Sequence, residues 1–186
     1  MSIHLEVKFE DEICDYLSRS GWIYEKDAAN KYNKDLALFP SDLIEWLKES
    51  QIEAWQTLEK KHKSRTEDVL IQRTRAVLNT SGTLDVLRQG VDIFGLKEAL
   101  KLAQFKPRPS VNKESLKRYK ANRLRVIRQV KYSLHNENCI DLVLFLNGIP
   151  VATVELKTDN TQNIEKAIEQ YKNCLLYTSP SPRDYA

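Results

Sequence analysis

Three charged side chains near the C-terminal end have the types and spacing of a metal-dependent hydrolytic site. Asp141 is the only polar side chain in the apolar run CIDLVLFL, residues 139–146, and a buried carboxylate is costly unless it is paired or binds a metal. Fourteen residues on, Glu155 and Lys157 are two apart, so both point to one side of the next predicted strand. Two carboxylates would offer Mg²⁺ hard oxygen ligands, and the lysine could orient or help deprotonate a water attacking a phosphate.

The same residues also allow a purely structural interpretation, in which Asp141 caps a turn and Glu155 and Lys157 form an ordinary surface pair. The hairpin signal Asn147-Gly148 provides a test. A strict two-residue turn would place the two carboxylates on opposite faces of the sheet, because directly opposed residues share a face. A three-residue loop with Gly148 in a left-handed bulge would shift the register by one and bring them together. The catalytic interpretation therefore predicts a bulged turn or an equivalent irregularity.

Hydrophobic periodicity predicts the elements that must position these residues. Helices are predicted over residues 8–20, from 40 to about 78, and over a short segment after Asn160. The second of these regions begins with a capping box at Asp42 and Glu45. A turn is predicted at 80–82, followed by irregular and then helical sequence over 83–104. The predicted strands span 124–134, 139–146 and 149–157. A helix followed by antiparallel strands and a second helix indicates an α/β sandwich.

Composition narrows the class of protein. The chain has 186 residues, of which 41% are hydrophobic and 30% charged, as expected of a soluble globular domain. The longest charge-free stretch, residues 142–154, is too short to be a membrane helix, and the N-terminus lacks the order of a secretory signal. Three distant cysteines, Cys14, Cys139 and Cys174, indicate a reducing compartment, so a cytoplasmic location is predicted. Cys14, Trp46 and Trp55 lie at helical spacing and are predicted to be core residues.

The formal net charge of +3 hides a local basic block. Residues 101–135 hold eleven Lys or Arg against one acid, whereas the rest of the chain holds 18 basic and 25 acidic residues. Such a block suits a polyanion partner, and it is equally compatible with a solvated face. The motif GxxxxGK[ST] is absent from the sequence, so we expect that this chain does not itself hydrolyse ATP.

The stretch from Asn122 to Tyr171, with IDLVLFLNGIPVATVELKTDNTQ at its centre, resembles the N-terminal nuclease domain of the restriction (R) subunit of type I restriction–modification enzymes. Upstream, FEDEICDYLSRSGW, GTLDVLRQGVDIFG and LAQFKPRPSVN are also similar to that family. The resemblance implies a nuclease core of the PD-(D/E)XK type, an α/β sandwich with a mixed sheet flanked by helices, preceded by a mostly helical insertion. It implies metal binding by Asp141 and Glu155 and catalysis by Lys157, with Ile140 standing where the motif has proline.

Two further assignments follow from the resemblance. The first helix of such nucleases often supplies a glutamate near the metal, and Glu10 or Glu12 could serve, with Glu10 on the apolar face of its helix. A simple interaction with the helix dipole is the alternative. Gln170 is a candidate for the glutamine that some relatives place on the helix after the active site. The tyrosine expected four residues later is replaced by Cys174, and Tyr171 is predicted to be a core residue.

The resemblance also predicts the domain organisation. Residues 1–173 are expected to form a truncated nuclease domain, and residues 174–186, CLLYTSPSPRDYA, a non-native-looking tail that is disordered. In the family, two helicase-like motor domains would follow, so ATP is expected to bind the full-length parent and not this fragment.

Together these features predict a Mg²⁺-dependent endonuclease domain that hydrolyses phosphodiester bonds of double-stranded DNA within a type I complex. Modification and specificity subunits are the expected protein partners, and no membrane partner is expected. The residues predicted to contact DNA are Arg123, Arg125, Arg128, Lys131 and Gln170. Alternation along the strand prevents the three arginines from all facing one duplex. The alternatives are a non-catalytic DNA-binding or docking module of the same fold and another PD-(D/E)XK nuclease.

Overall fold

A computed structural model describes residues 2–108, 112–132, 138–156 and 168. Within these ranges the helices are α1 Ser2–Arg19, α2 Pro40–Ser50, α3 Ile52–His62, α4 Thr66–Gln89 and α5 Lys113–Lys120, with short 3-10 helices at Ala28–Asn30 and Lys63–Arg65. The strands are β1 Ile23–Tyr24, β2 Leu124–Lys131, β3 Cys139–Leu146 and β4 Ile149–Val154. The helix predicted after Asn160 lies outside the described residues, apart from Ile168, which is helical.

The strands form one sheet in the order β1-β2-β3-β4. β1 runs parallel to β2, with Ile23 opposite Arg125 and Tyr24 opposite Val126, whereas the two-residue connection makes β3 and β4 antiparallel. The predicted α/β class with a mixed sheet is therefore confirmed. The chain divides into two compact units, one comprising Met1–Leu38, Leu124–Phe145 and Pro150–Ala186, the other Phe39–Arg123 and Leu146–Ile149.

The core of the first unit forms where α1 packs on the sheet. Cys14, Val126 and Leu142 are completely buried there, as the prediction for Cys14 required. The partly buried residues around them are Ile13, Leu17, Trp22, Tyr24, Leu144, Val154 and Leu156. Burying one such aliphatic side chain contributes about 1.5–3 kcal/mol, so this contact holds the face of α1 against β2 and β3.

The second unit is built on α2, α3 and α4. Pro40 occupies the first turn of α2, where its missing N–H costs no hydrogen bond. Trp46 and Trp55 are 1% and 6% exposed, which confirms that both are core residues. The predicted capping box was wrong, because Phe39 is the N-cap residue and Asp42 instead lies buried within the helix.

One local prediction agrees with the structure and others differ. The turn predicted at 80–82 is present as a kink in α4, because Gly82 has non-helical φ 78° and ψ 166° and separates two helical segments. Residues 90–104 are not helical and are organised by an isolated bridge between Val91 and Leu100, so the predicted order of irregular and then helical structure over 83–104 was wrong. Helix α5 and the two-residue strand β1 were not predicted, because both are too short to show a period.

Among the described residues, no helix is long and apolar enough to cross a membrane.

Candidate active site

Asp141 lies near the start of β3, where its half-buried carboxylate is held from two sides. Its Oδ2 accepts a hydrogen bond of 2.6 Å from the backbone N–H of Leu156. Its Oδ1 accepts a longer one, 3.4 Å, from the side-chain amide of Gln129. Since a carboxylate oxygen can accept more than one hydrogen bond or ligand, Asp141 is oriented by these contacts and can still bind a cation.

The turn between β3 and β4 is not the predicted three-residue loop. Asn147 and Gly148 both have positive φ, 49° and 78°, as in a two-residue type I′ turn. Asn147 tolerates this backbone and is fully buried, and its amide donates to the Leu102 carbonyl at 2.9 Å. Its Oδ1 accepts from the Arg123 N–H at 2.7 Å. These hydrogen bonds fix the tight turn, so the prediction of a bulged turn was wrong.

The packing of Val154, further along β4, differs from what a regular hairpin would give. A register set by the two-residue turn pairs Leu142 with Thr153, so Val154 would lie on the opposite face from Leu142. In the structure Val154 packs against the cluster that contains Leu142. A one-residue displacement along β4 would account for this packing and would put Glu155 on the face of Asp141, so that their joint metal binding stays a prediction.

Glu10 of α1 is buried, 2% exposed, and is bound by Arg128 of β2. Its Oε2 accepts hydrogen bonds from Nε of Arg128 at 2.9 Å and from Nη2 at 2.8 Å. Nη1 of the same guanidinium contacts Asp11 and lies 3.5 Å from the Tyr24 hydroxyl. Burial opposes the charge of Arg128, but the hydrogen bonds to Tyr24 and Glu10 outweigh it and raise the pKa of the guanidinium.

Gln129 joins Glu10 to the strand that carries Asp141. Its side-chain Nε2 donates to Oε1 of Glu10 at 2.8 Å and to Oδ1 of Asp141 at 3.4 Å. Its Oε1 accepts from the Cys139 thiol at 2.9 Å. One amide therefore contacts α1 and both residues of interest on β3.

The thiol of Cys139 lies in a partly buried environment with several negative charges. Burial raises its pKa, and the negative charges of Asp141, Glu155 and Glu10 raise the pKa further. The hydrogen bonds of Gln129 connect this thiol to Glu10 of α1 and Asp141 of β3. The residue after Glu155, Leu156, contacts Asp141 through its backbone N–H.

Two predicted site residues, Lys157 and Gln170, lie outside the described residues. Their roles therefore stay predictions, as they follow from the resemblance stated above.

The donor chemistry of this region suits a hard divalent cation. Asp141 and Glu155 offer carboxylate oxygens, and Mg²⁺ bound by one or two carboxylates usually keeps several waters. Both oxygens of Glu10 are engaged, one by Arg128 and one by Gln129, so its direct ligation stays a prediction. In the part of the chain that the structure describes, no group of three or more His, Cys, Asp or Glu is arranged to hold a metal ion. A cation here would take two carboxylates, with water or phosphate oxygens completing its shell.

The arginines predicted to contact DNA are each paired with carboxylates inside the protein. The partners are Asp42 and Glu45 for Arg123, Glu25 for Arg125, and Glu10 and Asp11 for Arg128. Arg125 is only 3% exposed. Their charges are balanced within the fold, which is not the arrangement of an open phosphate-binding surface. Lys131, at the end of β2, is exposed, and DNA contact by these four residues stays a prediction.

A different basic surface lies on α5. Lys113, Lys117 and Lys120 are exposed and follow one another at the i, i+4, i+7 spacing of one helix face. All three line one shallow concavity, which Glu49 also borders. The helix begins at Asn112, whose side chain accepts a backbone N–H of the first turn at 3.0 Å.

Sequence reasoning missed the pairing of Glu10 with Arg128, although a signal was present. Each charged residue falls on the apolar face of its own element, Glu10 beside Ile13 on α1 and Arg128 between Val126 and Val130 on β2. Opposite charges on two apolar faces that pack together are expected to pair. No comparable signal marked Gln129, because its contacts depend on a backbone conformation that the strand pattern does not show.

The fold and this cluster of carboxylates describe an α/β domain with a candidate metal-dependent site. The family model described as the N terminus of the type I restriction enzyme R protein matches residues 6–175. The chain therefore belongs to that family. No curated protein and no solved structure matches the chain.

Proposed function

We propose that this chain is the endonuclease domain of a type I restriction enzyme, a PD-(D/E)XK nuclease that hydrolyses DNA phosphodiester bonds with Mg²⁺. The observation that carries the proposal is the hydrogen-bonded arrangement around Asp141. Gln129 donates to both Asp141 and Glu10, and the backbone N–H of Leu156, the residue after Glu155, donates to Asp141. Carboxylates on neighbouring elements supply the hard oxygen ligands that a divalent cation prefers.

In the proposed mechanism, Asp141 and Glu155 would hold Mg²⁺, which would supply positive charge to stabilise negative charge on the phosphate. The Leu156 N–H and the Gln129 amide orient the Asp141 carboxylate. Hydrolysis joins a water oxygen to phosphorus and breaks one P–O ester bond. The attacking water loses a proton, and the departing ester oxygen gains one to become a hydroxyl. The resemblance assigns to Lys157 the role of orienting this water or helping to deprotonate it.

We further propose that the lysine face of α5, formed by Lys113, Lys117 and Lys120, contacts DNA phosphates. These side chains are exposed and share one face, whereas the arginines of the β2 region are balanced by internal carboxylates. Contacts of this kind add affinity without sequence readout. Within the parent enzyme, the modification and specificity subunits would select the DNA, and ATP would be used by domains outside this chain.

Plasmid nicking tests the catalytic proposal. We expect nicking by the wild-type chain in Mg²⁺, loss of nicking in EDTA, and a fall of at least about 100-fold in Asp141→Asn and in Lys157→Ala. Asp35→Asn, at an exposed aspartate away from the cluster, is the matched control and should leave the rate unchanged. Nicking unaffected by both site variants would refute the proposed site. Retained DNA binding without any nicking would instead favour the non-catalytic module.

Salt titration of DNA binding tests the α5 surface. Replacing Lys113, Lys117 and Lys120 together with glutamine should weaken binding on any sequence and reduce the slope of log K against log salt by about two to three. A control with three other exposed lysines replaced, Lys26, Lys34 and Lys60, removes the same charge. Equal effects in the two triple variants would contradict a dedicated α5 contact.

A further inference from the structure

We infer that Gln129 is a positioning residue of the proposed nuclease site, whose side-chain amide links Glu10 to Asp141 and orients the Asp141 carboxylate for a divalent cation. This inference rests on the proposed function, because orienting the Asp141 carboxylate affects metal binding only if Asp141 is a metal ligand. It concerns a residue that the pattern Asp–Glu–Lys does not include.

The backbone of Gln129 is the first observation. Its φ is 49°, a left-handed conformation inside β2 that is uncommon for a residue with a side chain. Neighbouring residues of a regular strand point to opposite faces. Here both Arg128 and Gln129 reach the same carboxylate, one on each oxygen of Glu10. The unusual backbone therefore turns the Gln129 side chain toward α1 and the start of β3. Costly backbone conformations persist where surrounding contacts hold them, and they concentrate at functional sites.

The hydrogen bonds settle which way the amide points. Its oxygen accepts from the Cys139 thiol at 2.9 Å, and its nitrogen faces Glu10 at 2.8 Å and Asp141 at 3.4 Å. The reversed orientation would place the amide oxygen against two carboxylates, which are acceptors only when ionised. The thiol therefore helps to keep the two N–H groups directed at the carboxylates.

These contacts form a series of hydrogen bonds from a buried ion pair to Asp141, the proposed metal ligand. Arg128 holds Glu10 in a buried ion pair, Glu10 accepts from Gln129, and Gln129 donates to Asp141. Partners that orient a ligating carboxylate commonly change metal affinity or activity by about 10–100-fold when they are removed. Loss of the Gln129 amide should thus weaken metal binding without removing any ligand.

The test uses Mn²⁺ as the probe, with free Mn²⁺ measured by electron paramagnetic resonance, on the full 186-residue chain. We expect Gln129→Ala and Gln129→Gly to weaken Mn²⁺ binding by about 10-fold or more. Glycine adopts a left-handed backbone without cost, so the folded state of Gln129→Gly should be at least as stable as that of Gln129→Ala. Gln56→Ala, at an exposed glutamine of α3, is the matched control and should bind Mn²⁺ like the wild type. Cys139→Ser, which keeps a donor to the amide oxygen, should stay close to the wild type, whereas Cys139→Ala should weaken Mn²⁺ binding.

Nicking provides a second readout that separates this inference from the proposed function. Raising the Mg²⁺ concentration should restore most of the rate in the Gln129 variants, because the ligands remain, but should not restore Asp141→Asn. Unchanged Mn²⁺ affinity and Mg²⁺ dependence in Gln129→Ala, with Asp141→Asn impaired in both, would overturn the role of Gln129 and leave the proposed function standing. Wild-type Mn²⁺ binding and nicking in Asp141→Asn would overturn both.

Discussion

Replacing Arg128 with methionine would remove the positive charge from a buried ion pair while keeping much of the side-chain volume. Glu10 is 2% exposed, and its Oε2 accepts hydrogen bonds of 2.9 and 2.8 Å from Arg128. The variant leaves this carboxylate in a site closed to water without its counter-charge. Breaking a buried pair from one side costs about 3–5 kcal/mol of unfolding free energy. An exposed arginine that only contacts DNA would change stability by no more than about 0.5 kcal/mol.

Urea unfolding followed by tryptophan fluorescence measures this difference. With a slope of about 2 kcal/mol per molar urea, the midpoint of Arg128→Met should fall by about 2 M. Glu10→Gln combined with Arg128→Met should recover most of the loss, since replacing both members of a buried pair is often neutral.

Arg65→Met, at an exposed arginine next to α4, is the control for a general effect of the substitution and should stay within about 0.5 kcal/mol of the wild type. The reasoning would be refuted if Arg128→Met cost less than about 1 kcal/mol. It would also fail if the double variant were as unstable as Arg128→Met alone.

Three further predictions concern the fold around the site. Gly148→Ala should lower the unfolding free energy by at least about 2 kcal/mol in urea unfolding, because the φ of Gly148 is 78° and an added Cβ would lie 2.1 Å from the Phe39 carbonyl oxygen. Gly21→Ala is the comparison: Gly21 also has positive φ, but an added Cβ would meet nothing within 4 Å, so the cost should be about 1 kcal/mol. Burial raises the pKa of Cys14 to about 11, so N-ethylmaleimide at pH 8 should leave Cys14 unmodified in peptide maps until urea is added, and rapid labelling of the native chain would contradict this. Hydrogen bonds from Lys31 and Arg125 hold the pKa of Glu25 below its usual range, so this glutamate stabilises the fold at neutral pH and loses that effect as the pH falls below about 4. Glu25→Gln should therefore cost about 1 kcal/mol at pH 7, a modest value because the side chain is 41% exposed, and the two unfolding curves should converge in acid; a difference independent of pH would exclude this role.

The local hydrophobic pattern was sufficient to predict the helices and strands whose apolar residues recur with a clear period. The alternation in β2 and β4, the apolar run of β3 and the four-residue spacing in α1 were each visible in the sequence, and the strands begin within a residue of their predicted starts. β1 and α5 have two and eight residues and too few apolar positions to show a period. The turn expected at residues 80–82 is present as a kink, where Gly82 interrupts the helical backbone of α4.

In the candidate site, too, some features could be predicted from the sequence and others depended on contacts between residues distant in the chain. Asp141 could be singled out because a lone carboxylate in an apolar strand needs a partner, and its distance to Glu155 suggested a second ligand. Asn147-Gly148 by itself favours the two-residue turn that the structure has, and the bulged turn was expected only because it would bring the carboxylates together. Residues distant in sequence, Leu102 and Asn122, hydrogen-bond the Asn147 side chain and hold the two-residue turn. The packing of Val154 and Leu156 against Cys14 of α1 and Val126 of β2 likewise depends on residues distant in the sequence.

By itself, then, the sequence determined which residues could do chemistry, the class of the fold and the family, because residue types, apolar periods and motifs are properties of the chain. Only the tertiary structure decided how the charges are used. In the sequence, Arg128 belonged to a basic block suited to DNA and Glu10 was a possible ligand, yet folding places them 2.8 Å apart in a buried ion pair. A buried charge must be balanced by whichever opposite charge packs against it, and that neighbour lies more than one hundred residues away in the chain.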